Sequence, residues 1–232
     1  MKTSAQEISG VLFDMDGVLC DSEPLLANAA CRLFAERYGL TVAPHEFAPF
    51  VGTGDKHYLD GVAQQHGLTQ RFPDDKDRLY AMYLAMIPGR LQPTPGAHEF
   101  VHACRARGLK IAVATSADRV KLDGALAAVH LPLSLFDVIV TGSDITHAKP
   151  HPEIFLTAAQ KLKLPPAQCL VIEDSPHGIV AARAAGCPCL ALATTFPAAQ
   201  LVHDQPDWIA ANLAEAQAIR TLLKLDGIQP PL

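Results

Sequence analysis

From residue 109 onward, segments typical of strands alternate with segments typical of helices. The strand-like segments are the apolar runs LKIAVATS, FDVIVTG, QCLVIED and CPCLALAT, and helical patterns begin near Asp118, Pro152 and Pro176. Such alternation is typical of a parallel sheet with helices on both faces. We therefore expect an α/β fold. The stretch DWIAANLAEAQAIRTLLKL predicts a last short strand and an amphipathic helix.

A second region, between the first strand and this alternating part, has an all-helical character. Residues 11–13 form a short apolar run typical of a buried strand, but from residue 23 to about 87 the apolar residues recur with helical spacing. The segment PGRLQPTPGA that follows cannot continue a helix and predicts a linker. We therefore predict a helical insert over residues 23–91 and a core formed by residues 1–22 and 92–232.

Composition limits the partners of this chain. Its formal net charge is −5 and its lysines and arginines are dispersed, so neither nucleic-acid binding nor a basic membrane face is predicted. The start, MKTSAQEIS, lacks the apolar segment of a signal peptide, and no stretch reaches the ~18 apolar residues of a membrane span, which predicts a cytoplasmic protein. Six cysteines without C-x-x-C spacing predict reduced core thiols. We expect a monomer.

Two pairs of acidic residues follow predicted strands. Asp14 and Asp16 come directly after the first strand, and Glu173 and Asp174 end a later one. The carboxyl ends of parallel strands meet at one edge of the sheet, where such folds bind ligands. One carboxylate there could act as a nucleophile and a second could shuttle a proton, while the cluster suits Mg²⁺. Either pair alone is also what a turn or a helix N-cap uses.

Hydroxyl and ammonium groups are predicted at the same edge. Thr115 and Ser116 end another strand, where hydroxyls and helix-start amides can hold phosphate oxygens, although a plain N-cap is the alternative. Lys149 precedes the prolines of the next helix, and a solvated surface lysine is the alternative there. His147 and His151 flank it. Because no third metal ligand is identifiable, we interpret these histidines as surface residues.

Four motifs, in this order, resemble those of the haloacid dehalogenase superfamily, in its branch with a helical cap inserted after the first motif. They are FDMDGVLCDSEP, VATSA, AKPHPEIF and VIEDSPHGIVAARAAG, and the match spans about residues 8–195. The resemblance implies a Rossmann-like parallel-sheet core with helices on both faces and an inserted all-α helical cap domain. It also implies a Mg²⁺-dependent phosphatase.

The resemblance implies a role for each matching residue. Asp14 would be the nucleophile that forms an aspartyl-phosphate, and Asp16 the general acid and base. Thr115 would bind the transferring phosphoryl group, and Lys149 would neutralise charge. The implied Mg²⁺ ligands are Asp14, Asp174 and the backbone carbonyl of Asp16, with Glu173 as a weaker ligand or a neighbour of the ligands.

Substrate choice is expected to depend on the cap. In FVGTGDKHYLDGV, a glycine turn precedes a helix start at which Asp55, Lys56 and His57 could contact substrate, although a solvated helix end is the alternative. The resemblance is to the group of β-phosphoglucomutases and sugar-phosphate phosphatases. GTGDK replaces the arginine-containing segment of the mutases, and Leu26 stands where they carry a histidine. Both departures favour hydrolysis of a small phosphorylated metabolite, a sugar phosphate first, over mutase chemistry.

A non-enzymatic binding or regulatory module with this fold is the alternative of another class. Such a protein is expected to lack at least one of Asp14, Asp16, Lys149 and Asp174. All four are present in this sequence.

Overall fold

A six-stranded parallel sheet forms the centre of the molecule. The computed structural model describes residues 7–228, and in that part of the chain the strands are β1 (Gly10–Phe13), β2 (Lys110–Ala114), β3 (Val138–Val140), β4 (Cys169–Glu173), β5 (Cys189–Leu192) and β6 (Trp208–Ala210). Their order across the sheet is β3-β2-β1-β4-β5-β6. Every neighbouring pair is parallel, so all the strands end at the same edge.

The helices connect and cover these strands. Within residues 7–228 they are α1 (Glu23–Tyr38), α2 (Asp55–Gln65), α3 (Asp74–Met86), α4 (Ala97–Ala106), α5 (Arg119–Ala128), α6 (Glu153–Leu162), α7 (Pro176–Ala184), α8 (Ala198–Leu201) and α9 (Gln217–Leu222). Short 3₁₀ turns lie at Pro44–Phe50, Leu133–Leu135, Gly142–Asp144, Pro166–Gln168 and Val202–Asp204.

Both faces of the sheet are buried, which explains why the central strands are continuous apolar runs. In β1, Val11 and Phe13 point into one core, which also contains side chains of α4, α5 and α9. Leu12 points to the opposite core, which contains side chains of α6, α7 and α8. The predicted α/β class with a parallel sheet and helices on both faces is confirmed.

Helices α1, α2 and α3 form the inserted helical cap. Aromatic rings hold it together: Phe47 packs edge-on against Phe34 at 5.8 Å and stacks on Tyr58 at 4.9 Å, measured between ring centroids. The buried Asp75 of α3 accepts a hydrogen bond from Arg37 Nε of α1 at 3.1 Å. An all-helical insert after the first strand is as predicted. Its boundaries at residues 23 and 91 remain a prediction.

The cap lies against the core at several points. The Lys76 ammonium of α3 forms an ion pair with Asp118 at the start of α5. The backbone N–H of Asp118 also donates to the Tyr80 hydroxyl at 3.1 Å. These contacts cover the edge of the sheet at which the strands end.

The cysteines and the helix lengths bear on two further expectations. All six cysteines have free thiols, and all but Cys31 are buried, which agrees with the prediction of reduced core thiols. Among residues 7–228, no helix has both the length and the apolar character needed to cross a membrane.

Candidate active site

Four residues predicted for the site come together at the carboxyl edge of the sheet. Asp14 follows β1 and donates its backbone N–H to Ile172 at 3.0 Å, while Thr115 follows β2 and donates its own to Val140 at 3.0 Å. Asp174 follows β4, and the loop after β3 brings in Lys149. The residues come from distant parts of the sequence because neighbouring strands of a parallel sheet end side by side.

Lys149 is buried in direct contact with the predicted nucleophile. Its Nζ lies 2.6 Å from Asp14 Oδ1 and 2.5 Å from Glu173 Oε1, and the residue is only 3% exposed. Burial alone would lower the pKa of this ammonium, but the two carboxylates outweigh it and raise the pKa above its usual value. The alternative of a solvated surface lysine is therefore wrong.

Glu173 holds Lys149 in place. While Oε1 accepts from the lysine, Oε2 accepts from the backbone N–H groups of Asp174 and Ser175 and from the Ser175 hydroxyl, each at 3.0 Å. A Cβ at Gly178 would lie 1.8 Å from the Glu173 carboxyl carbon, so only glycine leaves room for this side chain. Since both oxygens already have donors, the geometry favours a positioning role over the direct metal ligation that we considered.

Asp174 and Asp14 offer oxygens that a divalent cation could bind. Asp174 Oδ2 is buried without a hydrogen-bond partner among residues 7–228. Burial, then the charges of Glu173 and Asp14, raise the pKa of Asp174 well above its usual value. Burial likewise raises the pKa of Asp14 to about 7, although Lys149 opposes it. Such a crowded set of carboxylates suits a hard cation with oxygen ligands.

Gly17 leaves space for this cluster. Its φ of +72° is unfavourable for other residues, and a Cβ there would lie only 1.9 Å from Asp174 Oδ2. The loop between β1 and α1 therefore requires glycine at this position for two independent reasons, backbone conformation and space.

Asp16 is held by two donors, neither of which the sequence reasoning identified. Ser22 donates its hydroxyl to Asp16 Oδ1, and Lys121 Nζ lies 2.7 Å from Asp16 Oδ2. Lys121 is 2% exposed; burial lowers its pKa, but Asp16 outweighs that effect and raises it well above the usual value. The sequence did contain a sign that Lys121 is buried, because Leu122 and Ala125, its neighbours in α5, are buried core residues. A lysine on such a face needs a buried partner.

Thr115 and Ser116 lie beside the two aspartates and line the same cavity. The Thr115 hydroxyl accepts from the backbone N–H of Ala117 at 3.1 Å, which orients it. The Ser116 hydroxyl is buried without a partner among residues 7–228. The N-cap position of α5 is occupied by Asp118 instead. Both hydroxyls are therefore available to oxygens of a bound phosphoryl group.

The three cap residues predicted to contact substrate separate in the structure. Asp55 lines the cavity that contains Asp14. Lys56 and His57 instead line a neighbouring cavity of about 400 Å³. Lys56 is largely exposed and forms an ion pair with Asp60. The structure thus brings Asp55 to the site and leaves Lys56 and His57 outside it.

The cavity above Asp14 is small and enclosed by the cap. Its volume is about 40 Å³, enough for only a few water molecules. Glu23, Leu26 and Tyr58 of the cap form part of its wall. The sequence reasoning did not select Glu23, although its place beside Ser22 in the first motif was an available signal. Burial, then the charge of Asp16, raises the pKa of Glu23 to about 8.

His147 and His151 have a third neighbour that the sequence reasoning did not identify. Potential ligand atoms of the two histidines and of Glu153 lie within 4.8 Å of one another. The Glu153 carboxylate is already engaged, because it accepts from the backbone N–H groups of Thr146 and His147, each at 2.9 Å. Both histidines are exposed, as we expected of surface residues.

Comparison with known proteins identifies the family. The family model for haloacid dehalogenase-like hydrolases matches residues 8–186. The chain is 44% identical over 210 residues to the protein SUPPRESSOR OF QUENCHING 1, chloroplastic, of Arabidopsis thaliana, a match that covers 89% of this chain and 20% of that protein. It is 34% identical to the validoxylamine A 7'-phosphate phosphatase of Streptomyces hygroscopicus subsp. limoneus, over 89% of this chain and 94% of the relative.

A solved structure agrees with these matches. The crystal structure of CbbY from Rhodobacter sphaeroides in complex with phosphate superposes with a TM-score of 0.78 at 25% identity, covering 90% of this chain and 96% of that one. The chain therefore belongs to the haloacid dehalogenase-like hydrolase family, as its motifs predicted. The family is one of hydrolases, and the Streptomyces relative is named a phosphatase, which agrees with the predicted enzyme class. The chain spans about a fifth of the length of its Arabidopsis relative.

Proposed function

We propose that this chain hydrolyses a small phosphate monoester, a sugar phosphate first, through an aspartyl-phosphate formed on Asp14 with Mg²⁺ as the cofactor. The observation that carries the proposal is the buried contact of Lys149 Nζ with Asp14 Oδ1 at 2.6 Å, beside the unpartnered oxygen of Asp174. A buried carboxylate next to a fixed ammonium and a cation site is well suited to receive a dianionic phosphoryl group. The proposed cytoplasmic location and monomeric state remain predictions.

Hydrolysis proceeds in two displacements at phosphorus. In the first, a carboxylate oxygen of Asp14 bonds to phosphorus while the bond to the leaving oxygen breaks, and Asp16 donates a proton to that oxygen. In the second, water bonds to phosphorus while Asp16 takes its proton, and the Asp14 carboxylate leaves. Thr115, Ser116 and Lys149 hold the phosphoryl oxygens through both steps. The products are the free alcohol and inorganic phosphate.

Mg²⁺ would be held by carboxylate oxygens of Asp14 and Asp174 and by the backbone carbonyl of Asp16. When bound, the ion supplies charge that stabilises the phosphoryl oxygens in the transition state. Glu173 stays outside this ligand set, because its two oxygens accept from Lys149 and from the start of α7.

Phosphate release from a panel of sugar phosphates and p-nitrophenyl phosphate, measured with Mg²⁺ and with EDTA, tests the proposal. We expect turnover only with the metal, and a loss of about a thousandfold or more in Asp14→Asn. Asp21→Asn is the control, because Asp21 is an exposed aspartate of the same loop. No release from any substrate, or an Asp14→Asn variant within about tenfold of the wild type, contradicts the proposal.

Hydrolysis is favoured over phosphomutase chemistry by Leu26 in the cavity wall. Leu26 is 4% exposed and lines it, so the cap offers no imidazole at that position. With β-glucose 1-phosphate as substrate, we expect inorganic phosphate and no glucose 6-phosphate. Formation of glucose 6-phosphate would select the mutase alternative.

A further inference from the structure

The half of the active-site cavity that faces the cap is rich in carboxyl groups. Asp16, Glu23 and Asp55 line it together with Leu26 and Tyr58. On the phosphate side, the positive charges of Lys149 and of the proposed cation compensate the carboxyl groups of Asp14, Glu173 and Asp174. On the leaving-group side, three carboxyl groups face a single ammonium group, that of Lys121.

That ammonium group is not available to a substrate anion. Lys121 Nζ lies 2.7 Å from Asp16 Oδ2 and 5.6 Å from the centre of the Tyr83 ring, and the side chain is 2% exposed. Lys149 is committed in the same way to Asp14 and Glu173. Each lysine that lines this cavity therefore already pairs with a carboxylate.

The helix ends at the cavity are also occupied by acids. Glu23 is the first residue of α1 and Asp55 the first residue of α2, so each carboxyl group stands where a helix N-terminus could otherwise attract an anion. Asp55 accepts from the Tyr80 hydroxyl. Glu23 lines the cavity.

The lysines of the neighbouring cavity are not free to bind a second anionic group either. Its two lysines are Lys56, which pairs with Asp60, and Lys76, which pairs with Asp118. The neighbouring cavity thus offers an anion no free lysine, and His57 is the other basic side chain in its lining.

We propose that the carboxyl groups of Glu23 and Asp55 select phosphate monoesters whose leaving group is neutral and carries hydroxyl groups, and that they exclude leaving groups with a second phosphate or a carboxylate. This inference rests on the proposed phosphatase function and narrows its substrate class to monophosphates of sugars and polyols. A carboxyl group can bind a hydroxyl whether it is ionised or protonated, since it accepts in one state and donates in the other. An ionised carboxyl group repels an anion, and no lysine that lines this cavity is free to offset the repulsion.

Paired substrates of equal length test the inference. kcat/KM with Mg²⁺ is compared for glycerol 3-phosphate and 3-phosphoglycerate, and for fructose 6-phosphate and fructose 1,6-bisphosphate. In each pair we expect the substrate with the uncharged leaving group to have a kcat/KM at least about tenfold higher. A tenfold preference corresponds to roughly 1.4 kcal/mol of unfavourable charge interaction with the other substrate. Equal values, or preference for the anionic members, overturn the inference.

Removing the acids should weaken the discrimination. Glu23→Gln and Asp55→Asn keep the size of the side chains, and each is expected to raise the relative kcat/KM of the anionic member by several-fold. Glu36→Gln is the matched control, because Glu36 lies on the same helix as Glu23 and pairs with Arg78 at the surface. An unchanged ratio in both cavity variants contradicts the assigned residues.

Hydrolysis of p-nitrophenyl phosphate distinguishes a failure of this inference from a failure of the proposed phosphatase function. If the wild type hydrolyses it with Mg²⁺ but does not discriminate within the pairs, the inference fails and the phosphatase function stands. If it hydrolyses neither this ester nor any paired substrate, both fail.

Discussion

Asp16 is fixed by two donors on two different elements. Ser22 directly precedes α1, and Lys121 comes from α5, so the proposed general acid is held from two separate segments of the chain. A carboxylate held at both oxygens has little rotational freedom. Its alignment toward the leaving oxygen therefore depends on residues that do not touch the substrate phosphorus.

Replacing Lys121 by methionine should misalign Asp16 while preserving side-chain volume. We expect kcat for an alkyl phosphate to fall by about 10–100-fold, within the usual range of a general-acid contribution, and kcat for p-nitrophenyl phosphate to fall much less. The second ester has a leaving group that departs without protonation. Lys121→Arg should restore part of the loss, and Lys161→Met, at an exposed pair with Asp144, is the control. Equal losses on both esters argue against a positioning role.

The raised pKa of Glu23 predicts that folding stability depends on pH. Its pKa rises from the usual 4.5 to about 8 because of burial, so between these values the folded chain keeps a proton that the unfolded chain has released. The contribution of Glu23 to stability therefore decreases as the pH rises through this window. Glutamine cannot ionise and should avoid that loss.

Thermal unfolding of Glu23→Gln without added metal checks this sign. The quantity of interest is the melting temperature of the variant minus that of the wild type at the same pH. We expect this difference to be larger at pH 8.5 than at pH 4.5 by about 2–4 °C, the equivalent of roughly 1 kcal/mol for a chain of this size. A difference that is constant with pH would mean that Glu23 ionises normally in the folded protein.

The glycine turn before α2 joins the cap to the core. Gly52 has a φ of +80°, and a Cβ there would lie 2.7 Å from Ser175 Oγ at the start of α7. Gly67, at the other end of α2, has a similar φ of +67° but open space around it. The two positions share the same backbone requirement, and only Gly52 faces the catalytic core.

Gly52→Ala should therefore impair activity beyond its effect on stability. Both Gly52→Ala and Gly67→Ala are expected to destabilise folding by about 1 kcal/mol, because alanine at positive φ is strained. We expect kcat/KM to fall by about tenfold or more only in Gly52→Ala, since the cap can no longer close fully on Ser175. Similar kinetics for the two variants would contradict a role of this turn in closure.

The elements that carry the nucleophile could be predicted because their pattern is local. β1 and β4 are apolar runs buried on both faces, and the acids that end them had to meet at one edge of a parallel sheet. Lys121 and Glu23 could not be placed in the same way. The contact of Lys121 with Asp16 depends on how α5 packs beside the loop after β1, and the place of Glu23 in the cavity wall depends on how the cap packs on the core. The local pattern encodes neither. The packing of the cap also directs Lys56 away from the site.

In the molecule as a whole, the cap and the core enclose the reactive groups. A cavity of about 40 Å³ is smaller than any sugar phosphate, so substrate entry requires the cap to move away from the sheet edge. The contacts between Lys76 and Asp118 and between Tyr80 and Asp118 are among those that must break. Cap movement is therefore expected to limit turnover for good substrates.

Binding of Mg²⁺ to the carboxylate cluster should stabilise the whole molecule. A ligand that binds only the folded state adds about 2.7 kcal/mol at a hundredfold excess over Kd, which corresponds to a rise in melting temperature of roughly 5–10 °C for this chain length. Asp174→Asn should lose most of this rise, whereas Asp123→Asn, at an exposed pair with Arg119, should keep it. An equal Mg²⁺ effect in both variants would place the ion elsewhere.

The central claim of the proposed mechanism is a covalent phosphoryl group on Asp14. Rapid acid quenching of the Mg²⁺-loaded enzyme during turnover, followed by peptide mass spectrometry, detects such a group directly. With p-nitrophenyl phosphate, whose leaving group departs without protonation, we expect the mass of one phosphoryl group on the peptide that contains Asp14 and none without Mg²⁺. The modified fraction should be larger in Asp16→Asn, because only the second displacement is then slowed. Steady phosphate release with no modified peptide, or modification at a residue other than Asp14, would contradict the account.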